Sequence, residues 1–146
     1  MSVKLVAVLS GGLDSAVAMM KAMKDLQAVP DEVQILNVSY GSRHNPLEQV
    51  AARNLAMRLK IHQFHTINLF QPMTLAGTLA GKEESALLSS SPTAVPEGHY
   101  EAESMRQTVV PGRNLLFLSA AAAVAEAIAR RDGTIVRLVC GVHQGD

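Results

Sequence analysis

LSGGLDSA, residues 9 to 16, decides how this chain folds. Before it, Val3 to Leu9 is a continuous apolar run whose only charge is Lys4. Such a run reads as a strand buried on both faces, the parallel-sheet type. After it, Leu13, Val17, Met20 and Lys24 set a helical spacing through about Leu26, with Met19, Met20 and Met23 read as helix core. Strand, glycine turn and helix in that order make a phosphate-binding arrangement, because free backbone N–H groups and the helix dipole converge there. Gly11 and Gly12 let the chain turn tightly and approach a ligand with no Cβ between. Ser10 and Ser15 add hydroxyl donors, and Asp14 either caps the helix or meets Mg²⁺ between phosphate oxygens. A plain strand-to-helix turn would use the same residues for geometry and capping alone. The spacing is neither G-x-x-x-x-G-K-[ST] nor G-x-G-x-x-G, which excludes the two better-known phosphate loops.

Working outward, Pro30 and Asp31 punctuate the chain before a second strand, Val33 to Ser39. The turn YGSRHN follows, with Pro46 at a helix start. Leu47, Val50, Ala51, Leu55 and Leu59 form the expected apolar face of that helix, with Glu48, Gln49, Arg53 and Lys60 off it. A third strand is expected from about His62 to Leu69. The order β-α-β-α-β predicts an α/β fold: a doubly wound, mainly parallel sheet with helices on both faces and ligand sites at the carboxyl ends of the strands. Leu9 to Ser15 and Tyr40 to His44 then share one rim. Residues 70 to 110 lose the periodicity and read as a lid or substrate loop of short helical pieces. Asn114 to Arg130 is almost wholly apolar and alanine-rich, a buried helix ended by Arg131, Asp132 and Gly133. Thr134 to Val142 is expected as a fourth buried strand. Residues 1 to 146 read as a single domain, without repeats or a linker.

Composition sets the outer limits. With 48% hydrophobic and 18% charged residues in 146, the chain can bury a substantial core. Thirteen basic residues balance thirteen acidic ones, so no global field draws a nucleic acid or an anionic membrane. The single cysteine, Cys140, makes neither a disulfide nor a zinc site by itself, which suits a reducing cytoplasm. No apolar stretch is long enough for a secretory signal or a membrane span.

SGGLDS at Ser10 to Ser15 resembles the SGGxDS loop of the N-type ATP pyrophosphatases, a superfamily with an HUP-like fold. YGSRHNPLE at 40 to 48, VPGRNLLFLSAAAAVAEAI at 110 to 128 and GVHQGD at 141 to 146 are similar to one branch, the 7-cyano-7-deazaguanine synthase (QueC) family of queuosine biosynthesis. The resemblance implies an enzyme that uses ATP and Mg²⁺ to activate the carboxylate of 7-carboxy-7-deazaguanine. Ammonia then gives the amide, which is dehydrated to the nitrile. It implies that Leu9, Ser10, Gly11, Gly12, Leu13, Asp14 and Ser15 hold the ATP phosphates, with Asp14 touching Mg²⁺, and that Asp14, Ser15 and Arg113 are catalytic. On the substrate side it suggests Arg43, His44, Gly112, Arg113, Asn114 and His143.

Each assignment has a plainer rival. Arg113 follows the Pro111-Gly112 turn, with Asn114 expected at the helix N-cap, so two positive features converge on one anion; a structural ion pair is the rival. Arg43 and His44 stand either against an anion or in solvent. His143 and Asp146 are placed at the last strand end, either as substrate or Mg²⁺ contacts or as a frayed terminus. His62, His65 and His99 lack ligand-like spacing. Family members also carry four cysteines in a C-terminal zinc segment. With only Cys140 here, zinc is not predicted, and the sequence reads as a fragment or a variant without that element. The last strand, left as a sheet edge, suggests a homo-oligomer. An amide-forming or tRNA-thiolating relative remains an alternative enzyme, although no cysteine pair supports thiolation. A non-catalytic ATP-binding module is the alternative outside enzymes.

Overall fold

The structure, a computed structural model, describes residues 2–41, 44–69 and 112–141. The expected lid at 70–110, Arg43, His99, His143 and Asp146 lie outside the described residues. Four strands, β1 (Leu5–Val8), β2 (Val33–Ser39), β3 (Phe64–Asn68) and β4 (Arg137–Cys140), form one sheet in the order β3-β2-β1-β4. Every pairing is parallel, with Val8 opposite Leu36 on one side and Cys140 on the other. The central strands are buried on both faces, as their unbroken apolar runs require.

Alternation along β1 divides the core. Leu5, Ala7 and Leu9 face α1 (Leu13–Asp25) and α2 (Asn45–Arg58), packing with Met19, Ala52, Ala56 and Ile61. Val6 and Val8 face α3 (Arg113–Asp132), whose Ala121, Ala125 and Ile128 reach the other side of the sheet. The chain therefore winds β1-α1-β2-α2-β3 over one face and returns through α3 over the other. The winding reverses between β1 and β4, the place where open α/β sheets bind ligands beyond their carboxyl ends.

Several expected faces are turned. Leu13 and Val17 are 78% and 50% exposed and Met20 is exposed too, while Ser15 and Met19 point inward with Ala16, Ala22, Met23 and Leu26 beside them. The rotation follows from the turn: Ser15 must reach back beneath it (below), which fixes positions 15 and 19 on the sheet side. On α2 the alanines Ala52 and Ala56 make the close contact, supported by Leu55 and Leu59, whereas Leu47 and Val50 face outward. Small side chains let a helix approach a sheet closely, so the largest apolar residues were the wrong guide. The third helix is buried along one side only, leaving Leu115 and Leu118 exposed, because a single sheet face covers a single stripe. It starts at Arg113 after Gly112 in the left-handed region (φ 69°), so Asn114 lies inside the first turn and is not the N-cap. Among the described residues β4 is an edge strand, with Arg137 exposed and its other residues half-buried, instead of the fully buried strand expected over Thr134 to Val142.

Candidate active site

Leu9 leaves β1 buried, its N–H bonded to the Leu36 carbonyl and its own carbonyl accepting from the buried Asn37 side chain at 2.9 Å. That pair anchors the start of the glycine turn. The turn itself is closed by its serines. Ser15 Oγ accepts from the Ser10 N–H at 3.2 Å and donates to the Gly12 carbonyl at 3.0 Å, and it lies 3.1 Å from Ser10 Oγ, which in turn accepts from the Gly12 N–H at 3.2 Å. Gly12 occupies the N-cap without a side-chain cap, so Asp14 does not cap the helix; its side chain is exposed in the first turn. The N–H groups of Leu13, Asp14 and Ser15 have no acceptor among the described residues, as expected for a helix start. These donors, with the positive end of the α1 dipole, are what an anion would meet.

Two glycines are set by contact. Gly11 has φ 99°, and a Cβ there would collide with the Glu48 carbonyl oxygen. Gly141, just past β4, lies so close to α1 that a Cβ would be 2.6 Å from the Ser15 backbone. The carboxyl end of β4, the first turn of α1 and the start of α2 are therefore pressed around one loop.

Beside it opens a cavity of about 160 Å³ lined by Ser10, Ser15, Tyr40, Glu48, Arg113 and Asn114, with Val8, Val38, Phe117, Cys140 and Gly141 completing the wall. Tyr40 and Phe117 pack ring to ring at 5.4 Å. Asn45 braces the turn after β2, accepting from the Tyr40 N–H at 3.1 Å and donating to the Val38 carbonyl at 3.3 Å. Arg113 Nε donates to Asn114 Oδ1 at 3.2 Å, which holds the guanidinium at the α3 start. Among the described residues Glu48 is the one carboxylate in this wall and Arg113 the one guanidinium. Burial pushes the Glu48 carboxyl above the ordinary carboxylate range, against the pull of the His44 and Arg113 charges. Whole-ligand pockets run to ~300–1,000 Å³, so the described walls suit a phosphate-sized group rather than an entire nucleotide.

Of the residues expected here, Ser10, Ser15, Arg113 and Asn114 come together around the cavity. Gly11, Gly12, Leu13 and Asp14 form the adjoining loop, while Leu9 is core and Gly112 is the exposed residue before α3. His44 is exposed at the N-cap of α2, its carbonyl accepting from the Glu48 N–H at 3.0 Å. His62 and His65 are exposed, in keeping with their lack of ligand spacing. Sequence reasoning missed Glu48, Asn37 and Asn45. Asn37 and Asn45 carried one signal, a polar residue within or soon after a buried strand near its carboxyl end, whereas Glu48, in the first turn of α2, carried none. Among the described residues no three His, Cys, Asp or Glu side chains gather to hold a metal, so a zinc tetrad does not fit them. Mg²⁺ carried on phosphate oxygens needs only one or two carboxylates, and that the cavity wall can supply.

A parallel doubly wound sheet with a serine-closed glycine loop at its reversal defines the class: an α/β domain of the N-type ATP pyrophosphatase kind, HUP-like in fold. Within it, the chain belongs to the QueC family, "Queuosine biosynthesis protein QueC", whose model matches residues 4–146. It is 37% identical over 149 residues to 7-cyano-7-deazaguanine synthase 1 of Colwellia psychrerythraea, covering 100% of this chain and 58% of that protein. It is 33% identical to 7-cyano-7-deazaguanine synthase 2 of the same organism, covering 98% of this chain and 57% of the relative. The 7-cyano-7-deazaguanine synthase of Caldicellulosiruptor saccharolyticus is 33% identical, with coverages of 98% and 55%. The chain thus spans less than three-fifths of the length of these curated relatives.

Proposed function

We propose that this chain is the ATP-handling part of a 7-cyano-7-deazaguanine synthase, which converts 7-carboxy-7-deazaguanine, ammonia and ATP to the nitrile precursor of queuosine. The observation that carries the reading is the loop closed by Ser10 and Ser15, facing Arg113 across a phosphate-sized cavity. In this reading the amides of Leu13, Asp14 and Ser15 receive phosphate oxygens, and Arg113 at the head of α3 opposes the charge that builds up as pyrophosphate or phosphate leaves. Mg²⁺, when bound, would further neutralise the phosphates. A carboxylate oxygen of the deazaguanine attacks phosphorus and the leaving phosphate departs with the bonding electrons. Ammonia then displaces the activated oxygen to give the amide, which loses water to become the nitrile. Asp14 contributes its main chain, since its side chain is exposed in the first turn of α1. Arg43, His44, Asn114 and His143 belong to the deazaguanine side. A homo-oligomer is part of the same reading, supported by Ile135, 78% exposed beside the edge strand β4.

The test is a mass-spectrometric assay of the protein carrying this chain, given 7-carboxy-7-deazaguanine, ammonium and Mg-ATP. Nitrile or amide should form, and Ser15→Ala should abolish it while circular dichroism stays native. Tight ATP binding without either product would identify a non-catalytic nucleotide module. Unchanged turnover in Ser15→Ala would overturn the phosphate assignment.

A further inference from the structure

The two hydroxyls of the glycine turn are not equivalent. A serine oxygen has one proton to give and two lone pairs with which to receive. Ser15 Oγ gives its proton to the Gly12 carbonyl at 3.0 Å and receives the Ser10 N–H at 3.2 Å. With that proton committed, the one shared with Ser10 Oγ at 3.1 Å comes from Ser10. All three directions of Ser15 Oγ are therefore spent inside the turn, and the residue is only 6% exposed. Ser10 is exposed. Its oxygen receives the Gly12 N–H at 3.2 Å and keeps a second lone pair, while its proton goes to a neutral hydroxyl that already holds another donor. Exchanging that acceptor for a phosphate oxygen gains a charge-assisted bond, roughly twice as strong, by rotating one exposed O–H. Turning Ser15 outward would instead strip the Ser10 N–H of its acceptor and the Gly12 carbonyl of a donor.

We infer that Ser15 is a positioning residue whose hydroxyl does not touch the nucleotide, and that Ser10 is the serine that donates to phosphate. The inference rests on the ATP reading above. The Ser15 side chain holds the Ser10 main chain and the Gly12 carbonyl in place, so that the amides at the head of α1 stay aimed at the anion. Its own contact with phosphate is through its N–H alone. The motif presents the two serines as like donors; only the burial of one and the exposure of the other separate them.

Calorimetry of Mg-ATP binding, joined to amide exchange of the nucleotide-free protein, tests this without turnover. Ser10→Ala should weaken ATP binding about tenfold while leaving the melting temperature and the exchange of the amide at position 10 unchanged, and Ser10→Thr should recover part of the affinity. Ser15→Ala should lower the melting temperature and quicken exchange at position 10 before any nucleotide is added. A crystal structure of the Mg-ATP complex should show Ser15 Oγ still bonded to the Ser10 N–H and the Gly12 carbonyl, a test that stands even if Ser15→Ala does not fold. Ser15 Oγ within about 3 Å of a phosphate oxygen in that complex would overturn the inference. So would undiminished ATP affinity in Ser10→Ala, or weakened affinity in Ser15→Ala with the amide at position 10 still protected. No ATP binding by the unaltered protein would overturn the ATP reading itself, and this inference with it.

Discussion

The two ends of the sheet are built on opposite principles. At the carboxyl end, backbone meets backbone: Gly11 against Glu48, Gly141 against Ser15, serine hydroxyls folded into the turn, and one acid raised by burial. At the amino end, side-chain charges meet: Lys4 pairs with Glu32 at 2.9 Å and Arg131 with Asp132 at 2.6 Å, while the Val3 N–H reaches Asp132 at 3.4 Å. Gly133 is there as well, yet a Cβ on it would touch nothing within 4 Å. One end gives up side chains to bring main-chain donors to a point. The other uses side chains to seal helix ends and strand starts. An anion site needs the first arrangement, since only bare backbone lets three elements close around one phosphate-sized space.

Glycine replacement breaks this comparison most severely at position 11. Gly11→Ala combines a strained φ of 99° with a collision against the Glu48 carbonyl. It should cost ~3–5 kcal/mol in urea unfolding and eliminate ATP binding by calorimetry. Gly141→Ala has no positive φ to strain it, only the contact with Ser15. It should cost ~1–3 kcal/mol, with ATP affinity falling further than stability alone would explain. Gly133→Ala, at φ 62° in open space, should cost only ~1–2 kcal/mol and leave ATP binding intact. If positions 133 and 141 impaired binding equally, the contrast between the ends would fail.

Asn37 sharpens the same contrast inside the core. Its side chain is 1% exposed, its Nδ2 donates to the Leu9 carbonyl, and its Oδ1 has no partner among the described residues. Asn37→Ala should cost ~1–3 kcal/mol, because the buried Leu9 carbonyl loses its side-chain donor. Amide exchange should quicken at residues 10 to 15 and stay slow in α3; uniform quickening would mean that Asn37 serves only the core.

How much of this was legible beforehand differs by kind of signal. The glycine turn and its serines could be read directly, because local geometry and local hydrogen bonds fix them. Arg113 was legible through PGRN, although the cap proved to be Gly112 and not Asn114. The sheet followed from unbroken apolar runs. Helix faces were misread wherever size was taken for burial: Leu13, Val17 and Leu47 point outward, and Ala52, Ala56 and Ser15 point in. Those rotations are set by tertiary contact, which spacing alone does not encode. Glu48 was hidden for the same reason. On a helical wheel it sits with Gln49 and Arg53 on the polar side, and only the approach of α2 to Gly11 brings it to the cavity. The substrate class came from family resemblance, with no counterpart in periodicity or composition.

The smallest effect expected is also the one in which the two ends differ in sign. Lys4 beside Glu32, and Arg131 beside Asp132, hold those carboxyls below their ordinary range. A depressed folded value means stabilisation that is present above the unfolded carboxylate range and lost as pH falls through the folded one. Glu48 is raised, mainly by burial, so its contribution is present below its unfolded value and lost as pH rises through the folded one. Thermal melts across the acid limb should therefore flatten in the double variant Glu32→Gln with Asp132→Asn, and ~1 M salt should flatten the wild-type limb similarly, since it shortens the screening length to about 3 Å. Glu48→Gln should instead raise the melting temperature at neutral pH and do so nearly independently of salt, because the cost it removes is desolvation and not a screened pair. Should Glu48→Gln lower the neutral-pH melting temperature, its carboxylate is stabilised in the folded cavity by the His44 and Arg113 charges more than it is penalised by burial, and the two ends of the sheet would respond to pH alike.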